Sequence, residues 1–166
     1  MKCAVVYYSE TGNTEKLAKQ IYYLLDGQER ILVNATVQPE IPQADVYFVG
    51  FPIHQKNCSI KAVDVLEQIE TGKLMLFATC GLTPTEKYQK KLETALNVWI
   101  SDDVDYMGMF LCQGKTTDIQ KEKIYDINPV YRDKLETMFH EGDNHPNQED
   151  FEKLTEYIKE TFCDFF

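Results

Sequence analysis

Ser9, Thr11, Asn13 and Thr14 crowd hydrogen-bonding side chains around one glycine, Gly12. Neutral donors beside a glycine suit an oxyanion: hydroxyls and peptide N–H groups donate, and the glycine lets the backbone come close. The flanks give the loop its meaning. Before it, Cys3 to Tyr8 is an unbroken apolar run rich in β-branched and aromatic residues, the pattern of a strand buried on both faces. After it, Glu15 to Leu25 repeats apolar residues at helical spacing: Leu17, Ala18, Ile21, Leu24 and Leu25. A loop leading from a buried strand into a helix presents that helix's unpaired first N–H groups and the positive end of its dipole. No Lys or Arg lies in Ser9–Thr14, and Glu10 is acidic, so a phosphate here is expected to be held by hydroxyls and amides alone. The stretch lacks the Gly-Lys-Ser/Thr of a nucleoside-triphosphate loop and the three glycines of a dinucleotide fingerprint. An ordinary helix N-cap uses the same residue types, but their convergence after the first buried strand selects phosphate binding.

The rest of the chain supplies the elements that position this loop. Arg30–Asn34 reads as a short strand near an edge, Asp45–Gly50 and Leu74–Ala78 as apolar strands, and Tyr106–Leu111 as a fifth. Helical periodicity covers Ile60–Ile69 and Glu86–Ile100, the second with Tyr88, Leu92, Ala95, Leu96 and Trp99 as its expected inner face. Gly27 suits the left-handed stop of the first helix. Asn128-Pro129 reads as the start of a helix running to about Phe139, with Asn128 as its cap, and Asn147 with Asp150 as the cap of a last helix. Strands alternating with helices at short intervals define an α/β fold with a parallel sheet covered on both faces. The chain is expected to form a single domain over 1–166, with a helical insertion at about 113–145.

Ser9-Glu10-Thr11-Gly12-Asn13-Thr14, placed after an N-terminal strand, resembles the FMN-phosphate loop of the flavodoxin family. The resemblance implies a doubly wound five-stranded parallel sheet of order 2-1-3-4-5, which is flavodoxin's own order, with FMN at the switch between strands one and three. The loop Gly50-Phe51-Pro52-Ile53-His54 is similar to the one that covers one face of the flavin in that family. Thr79-Cys80-Gly81-Leu82 falls where the second flavin loop lies. By resemblance, the cofactor-binding residues are therefore Ser9, Glu10, Thr11, Gly12, Asn13, Thr14, Phe51, Pro52, Ile53, His54, Thr79, Cys80, Gly81 and Leu82. Two other protein classes of the same topology are excluded by residue type. A phosphoacceptor receiver needs an Asp ending strand three, where this chain has Gly50-Phe51, and a small phosphatase needs a Cys and an Arg in the first loop.

The sequence departs from the family where aromatic residues usually stack on the flavin. His54 lies about where one would stand, and Leu82-Thr83-Pro84 offers no Tyr or Trp. Either the flavin is more open, or Phe and Tyr residues of the insertion cover it. His54 is readable as a flavin contact that titrates near neutral pH, or as a surface-loop histidine. Cys80 is readable as a neighbour of the ring, or as a small apolar filler at a strand end.

The formal net charge of −10 argues against nucleic acid and anionic membrane surfaces, and favours a protein partner with a basic face. No apolar run approaches the roughly 20 residues of a membrane span. The N-terminus enters a strand directly, and five scattered cysteines without a Cys-x-x-Cys pair suit a reduced compartment, so a cytoplasmic protein is expected. His140 and His145 lack ligand spacing, so no metal is assigned. The expectation is an FMN electron carrier moving electrons between a reductase and an acceptor enzyme, with no catalytic side chain of its own. The alternative is an FMN-dependent NAD(P)H or quinone reductase on the same fold, favoured by the missing aromatic cover and disfavoured by the lack of a nicotinamide-binding motif.

Overall fold

Buried apolar residues alternate between two faces along each inner strand, and this alternation builds the molecule. The structure, a computed structural model, describes residues 1–53 and 58–165. Its five strands are β1 (Lys2–Tyr7), β2 (Glu29–Asn34), β3 (Val46–Pro52), β4 (Gly72–Cys80) and β5 (Val104–Gln113). All pair in parallel, in the order β2-β1-β3-β4-β5. The doubly wound order expected from the loop resemblance is therefore observed.

On one face, Cys3, Val5 and Tyr7 of β1, Phe48 of β3, and Met75 and Phe77 of β4 meet α1 (Asn13–Leu24) and α6 (Gln148–Thr161). The helices contribute Leu17, Ala18, Ile21, Leu154 and Ile158. On the other face, Ala4, Val6, Val49, Phe51, Leu74, Leu76 and Ala78 meet α2 (Ile60–Leu66) and α3 (Glu86–Leu96). Each layer removes a strip of apolar surface from water on both sides of the sheet, which is why the inner strands read as continuous apolar runs.

Between β5 and α6 lie α4 (Asp118–Ile127), a short 3₁₀ turn over Pro129–Tyr131, and α5 (Arg132–Gly142). They carry a small core of their own, Tyr125, Leu135 and Phe139, with Leu82 and Ile124 packed against it. Tyr125 and Phe139 meet edge to face, their ring centroids 5.7 Å apart.

Three local expectations need correction. α3 ends at Leu96 and passes into a 3₁₀ turn over Asn97–Trp99. The tighter winding rotates the residues after Leu96, so Trp99 is exposed. Ala95 is exposed as well, while Leu92 and Leu96 are buried. Asn128 does not cap the helix after it. Its side-chain amide donates to the carbonyl of Ile124 at 3.1 Å, closing the end of α4. α5 continues to Gly142, past the end near Phe139 expected for it.

Candidate cofactor site

β1, β3 and β4 all end at the same edge of the sheet, so the segments following them converge. A crevice of about 370 Å³ opens there, within the range of roughly 300–1,000 Å³ usual for small-molecule sites. From the first segment it is lined by Glu10, Thr11 and Asn13, from the second by Pro52 and Ile53, and from the third by Thr79, Cys80 and Gly81. It therefore lies at the switch between β1 and β3, where strand order reverses.

The first segment explains why the spot suits an anion. Gly12 is the N-cap of α1, with φ 89°, a left-handed conformation that residues with a Cβ adopt at a cost. Its N–H donates to Ser9 Oγ at 3.1 Å, which folds the loop into a tight turn. No side chain caps α1. By contrast, Ser59, Thr85, Thr117 and Asn147 each accept first-turn N–H groups of α2, α3, α4 and α6. The ordinary N-cap pattern is thus realised at four of the five other helices; α5 also starts without a side-chain cap, and α1 does so although Ser and Thr stand beside its start. Donors at the positive end of a helix dipole, with no side chain on them, match a phosphate.

The remaining expected residues sit around this turn in different ways. Thr14 is fully buried in the first turn of α1, and its Oγ1 shares a 2.8 Å hydrogen bond with Thr79 Oγ1. It fastens the loop to β4 from behind the crevice. Asn13 uses its amide on Thr11 Oγ1 (3.2 Å) and the carbonyl of Lys115 (2.9 Å). Phe51 does not line the crevice: its ring is wholly buried in the core on the α2/α3 face. Leu82 leans on the Tyr125–Phe139 cluster instead. His54 lies outside the described residues.

Cys80 is buried, with Sγ directed to the carbonyl of Leu82 at 3.1 Å. Burial pushes its thiol up to about 12, only partly offset by that hydrogen bond, so it stays protonated. Tyr8, beside the loop, has its phenol pushed up to about 12, chiefly by donating to Glu10.

One wall of the crevice was not foreseen from the sequence. Gly114, Lys115, Thr116, Gln120, Lys123 and Ile124 close it from the side of the insertion. No local motif marks them; they arrive because β5 extends to Gln113 and α4 folds back. No aromatic ring lines the crevice among the described residues, so the insertion's Tyr and Phe do not replace the family's stacking residues.

The flavodoxin domain family model matches residues 4–159, and the chain belongs to that family. It is 29% identical over 168 residues to the flavodoxin-like domain-containing protein BilS of Clostridioides difficile, an alignment covering 96% of this chain and 95% of that one. It is 28% identical over 134 residues to BilS of Clostridium symbiosum, covering 69% of each. Among solved structures it resembles a flavodoxin from Streptococcus pneumonia (TM-score 0.61, 13% identity, 99% of both chains). It also resembles rubredoxin oxygen:oxidoreductase of Desulfovibrio gigas (TM-score 0.62, 16% identity), spanning 99% of this chain and 36% of that longer one. These structural likenesses are of fold. FMN is the cofactor that family membership supports, and the uncapped turn, the crevice beside it and the open backbone at Gly12 fit that group.

Proposed function

We propose that the chain binds FMN across the ends of β1, β3 and β4 and passes electrons between a reductase and an acceptor enzyme. The observation carrying this reading is the uncapped start of α1, opening into a crevice at the sheet's switch point. Bound FMN supplies the redox chemistry. The chain's own residues bind and orient it. Thr11 and the first amides of α1, those of Asn13 and Thr14, hold the phosphate, while Gly12 N–H stays on Ser9 Oγ and keeps the turn closed. Pro52 and Ile53 give a flat aliphatic wall, and the backbone at Cys80 and Gly81 offers polar groups to the ring edge. With its thiol held protonated, Cys80 acts as packing, not as a nucleophile. The net charge of −10 favours partners with a basic face and speeds their encounter.

A second reading, direct reduction of a small substrate, is supported by the lack of an aromatic ring in the crevice wall among the described residues, which leaves room beside the flavin. Purified protein titrated with FMN should develop the flavin absorption bands of a bound complex. Mixed with NADPH and a quinone but no partner, a carrier stays yellow, whereas a reductase bleaches. A colourless protein that takes up no FMN contradicts both.

A further inference from the structure

We propose that Lys115 supplies the positive charge that the Ser9–Thr14 loop lacks, holding the phosphate of the bound cofactor, and that Lys123 adds to it from α4. This rests on the FMN reading and deepens it. The helical insertion then becomes part of the cofactor site, not an appendage beside the core.

The backbone at 114–115 is fixed against the loop from several directions. Gly114 N–H donates to the carbonyl of Cys80 at 2.8 Å, and Lys115 N–H donates to the carbonyl of His145 at 3.0 Å. The Lys115 carbonyl accepts from Asn13 Nδ2 at 2.9 Å. The approach at Gly114 is close: a Cβ there would stand 2.6 Å from Asn13 Nδ2, so a side chain would have to push the Asn13 amide aside. Residue 115 is thus delivered beside the first turn of α1, where the uncapped amides lie.

Its charge is unspent. Lys115 and Lys123 both line the crevice with Thr11 and Asn13 and are exposed, and neither forms an ion pair among the described residues. Lys121, between them in sequence, reaches Asp143 at 3.4 Å. Among the described residues, the other charged one lining the crevice is Glu10. A phosphate dianion approaching a chain of net charge −10 meets an unfavourable field, and two ammonium groups at the mouth offset it locally. Asn13, its amide committed to Thr11 and Lys115, is a positioning residue for this arrangement.

The test compares FMN with riboflavin, which has the same ring and no phosphate. Flavin fluorescence is titrated with wild type, Lys115→Gln, Lys123→Gln, the double variant, and Lys91→Gln on the exposed side of α3. Lys115→Gln should raise the Kd for FMN about tenfold and the double variant roughly thirtyfold, with Lys91→Gln unchanged. Riboflavin affinity should move less than about twofold, and the salt dependence of FMN binding should flatten in the double variant. Lys115→Arg, which keeps the charge, should retain FMN binding, and Lys115→Met, which removes the charge and keeps the length, stands in with the same expected loss should the Gln variant fail to fold. FMN affinity unchanged in Lys115→Gln overturns the inference, and so does an equal loss for FMN and riboflavin. Wild type that binds neither flavin defeats the FMN reading itself, and the inference falls with it.

Discussion

Helices α1 and α6 pack side by side on the same face of the sheet, yet they begin in opposite ways. At α6, Asn147 Oδ1 accepts from the N–H groups of Glu149 (3.0 Å) and Asp150 (3.3 Å). Asp150 Oδ2 accepts in turn from Asn147 N–H at 2.8 Å, and it lies 2.6 Å from His145 Nδ1. That helix satisfies its own terminus. At α1 the N-cap is a glycine with no side chain, and neighbouring Ser9 turns its oxygen toward Gly12 N–H instead of the first turn. A side-chain cap contributes about 1 kcal/mol; α1 forgoes it. The difference supports reading the open start of α1, which borders the crevice, as a place for an anion from outside the chain.

The most severe way to break this comparison is to give α1 the kind of start α6 has. Gly12→Asp places a carboxylate where the phosphate would lie, and FMN affinity should fall at least about a hundredfold. No contact stands within 4 Å of a Cβ at Gly12, but its φ of 89° strains any side chain there, so Gly12→Ala is titrated alongside and the carboxylate's effect is read as the difference between the two variants. A titration followed by flavin fluorescence reads the effect; binding within about threefold of Gly12→Ala would break the contrast.

The converse change strips α6. Asn147→Ala should lower unfolding free energy by about 1–2 kcal/mol in denaturant melts, with FMN affinity unchanged. Equal loss of stability and FMN binding would show that the two helix starts are not separable. Thr14→Val removes the buried hydroxyl pair with Thr79, and about 1 kcal/mol of stability should go with it. FMN affinity should drop only a few-fold, because Thr14 braces the loop from behind and does not line the crevice.

The smallest effect concerns pH. Burial raises the Cys80 thiol to about 12, so folding favours its protonated form. The stability tied to this is fully present below the ordinary thiol pKa and is lost as pH rises through about 12. At about pH 8, near the ordinary thiol pKa, alkylation of the folded protein should spare Cys80 while modifying the exposed Cys163. Rapid labelling of Cys80 in mass spectra would show that its thiol is open to solvent.

Much of this was legible in the residues because local pattern and final structure agree there. Continuous apolar strands such as Val46–Phe51 can only be buried on both faces, and that fixes a covered parallel sheet. Asn147 and Asp150 three residues apart announce the cap of α6, and the box is present. The Ser9–Thr14 loop was visible, but its inner division of labour was not. That Thr14 turns back to Thr79 and Asn13 across to Lys115 depends on partners 65 and 102 residues away. The insertion wall was hidden for the same reason: Gly114, Lys115 and Lys123 carry no motif and gain meaning only from where β5 and α4 deliver them. At α3, periodicity carried the helix past Leu96 because nothing in Asn97-Val98-Trp99 forbids it, whereas the structure tightens there and leaves Trp99 exposed.

The most direct measurement is a proton–nitrogen correlation spectrum of the labelled protein titrated with FMN. The account predicts that the amide signals of Thr11, Asn13 and Thr14 move downfield as the phosphate accepts their hydrogens, while those of Glu149 and Asp150 stay in place. Flavin binding that leaves these three signals where they were, or moves the two starts alike, would contradict it.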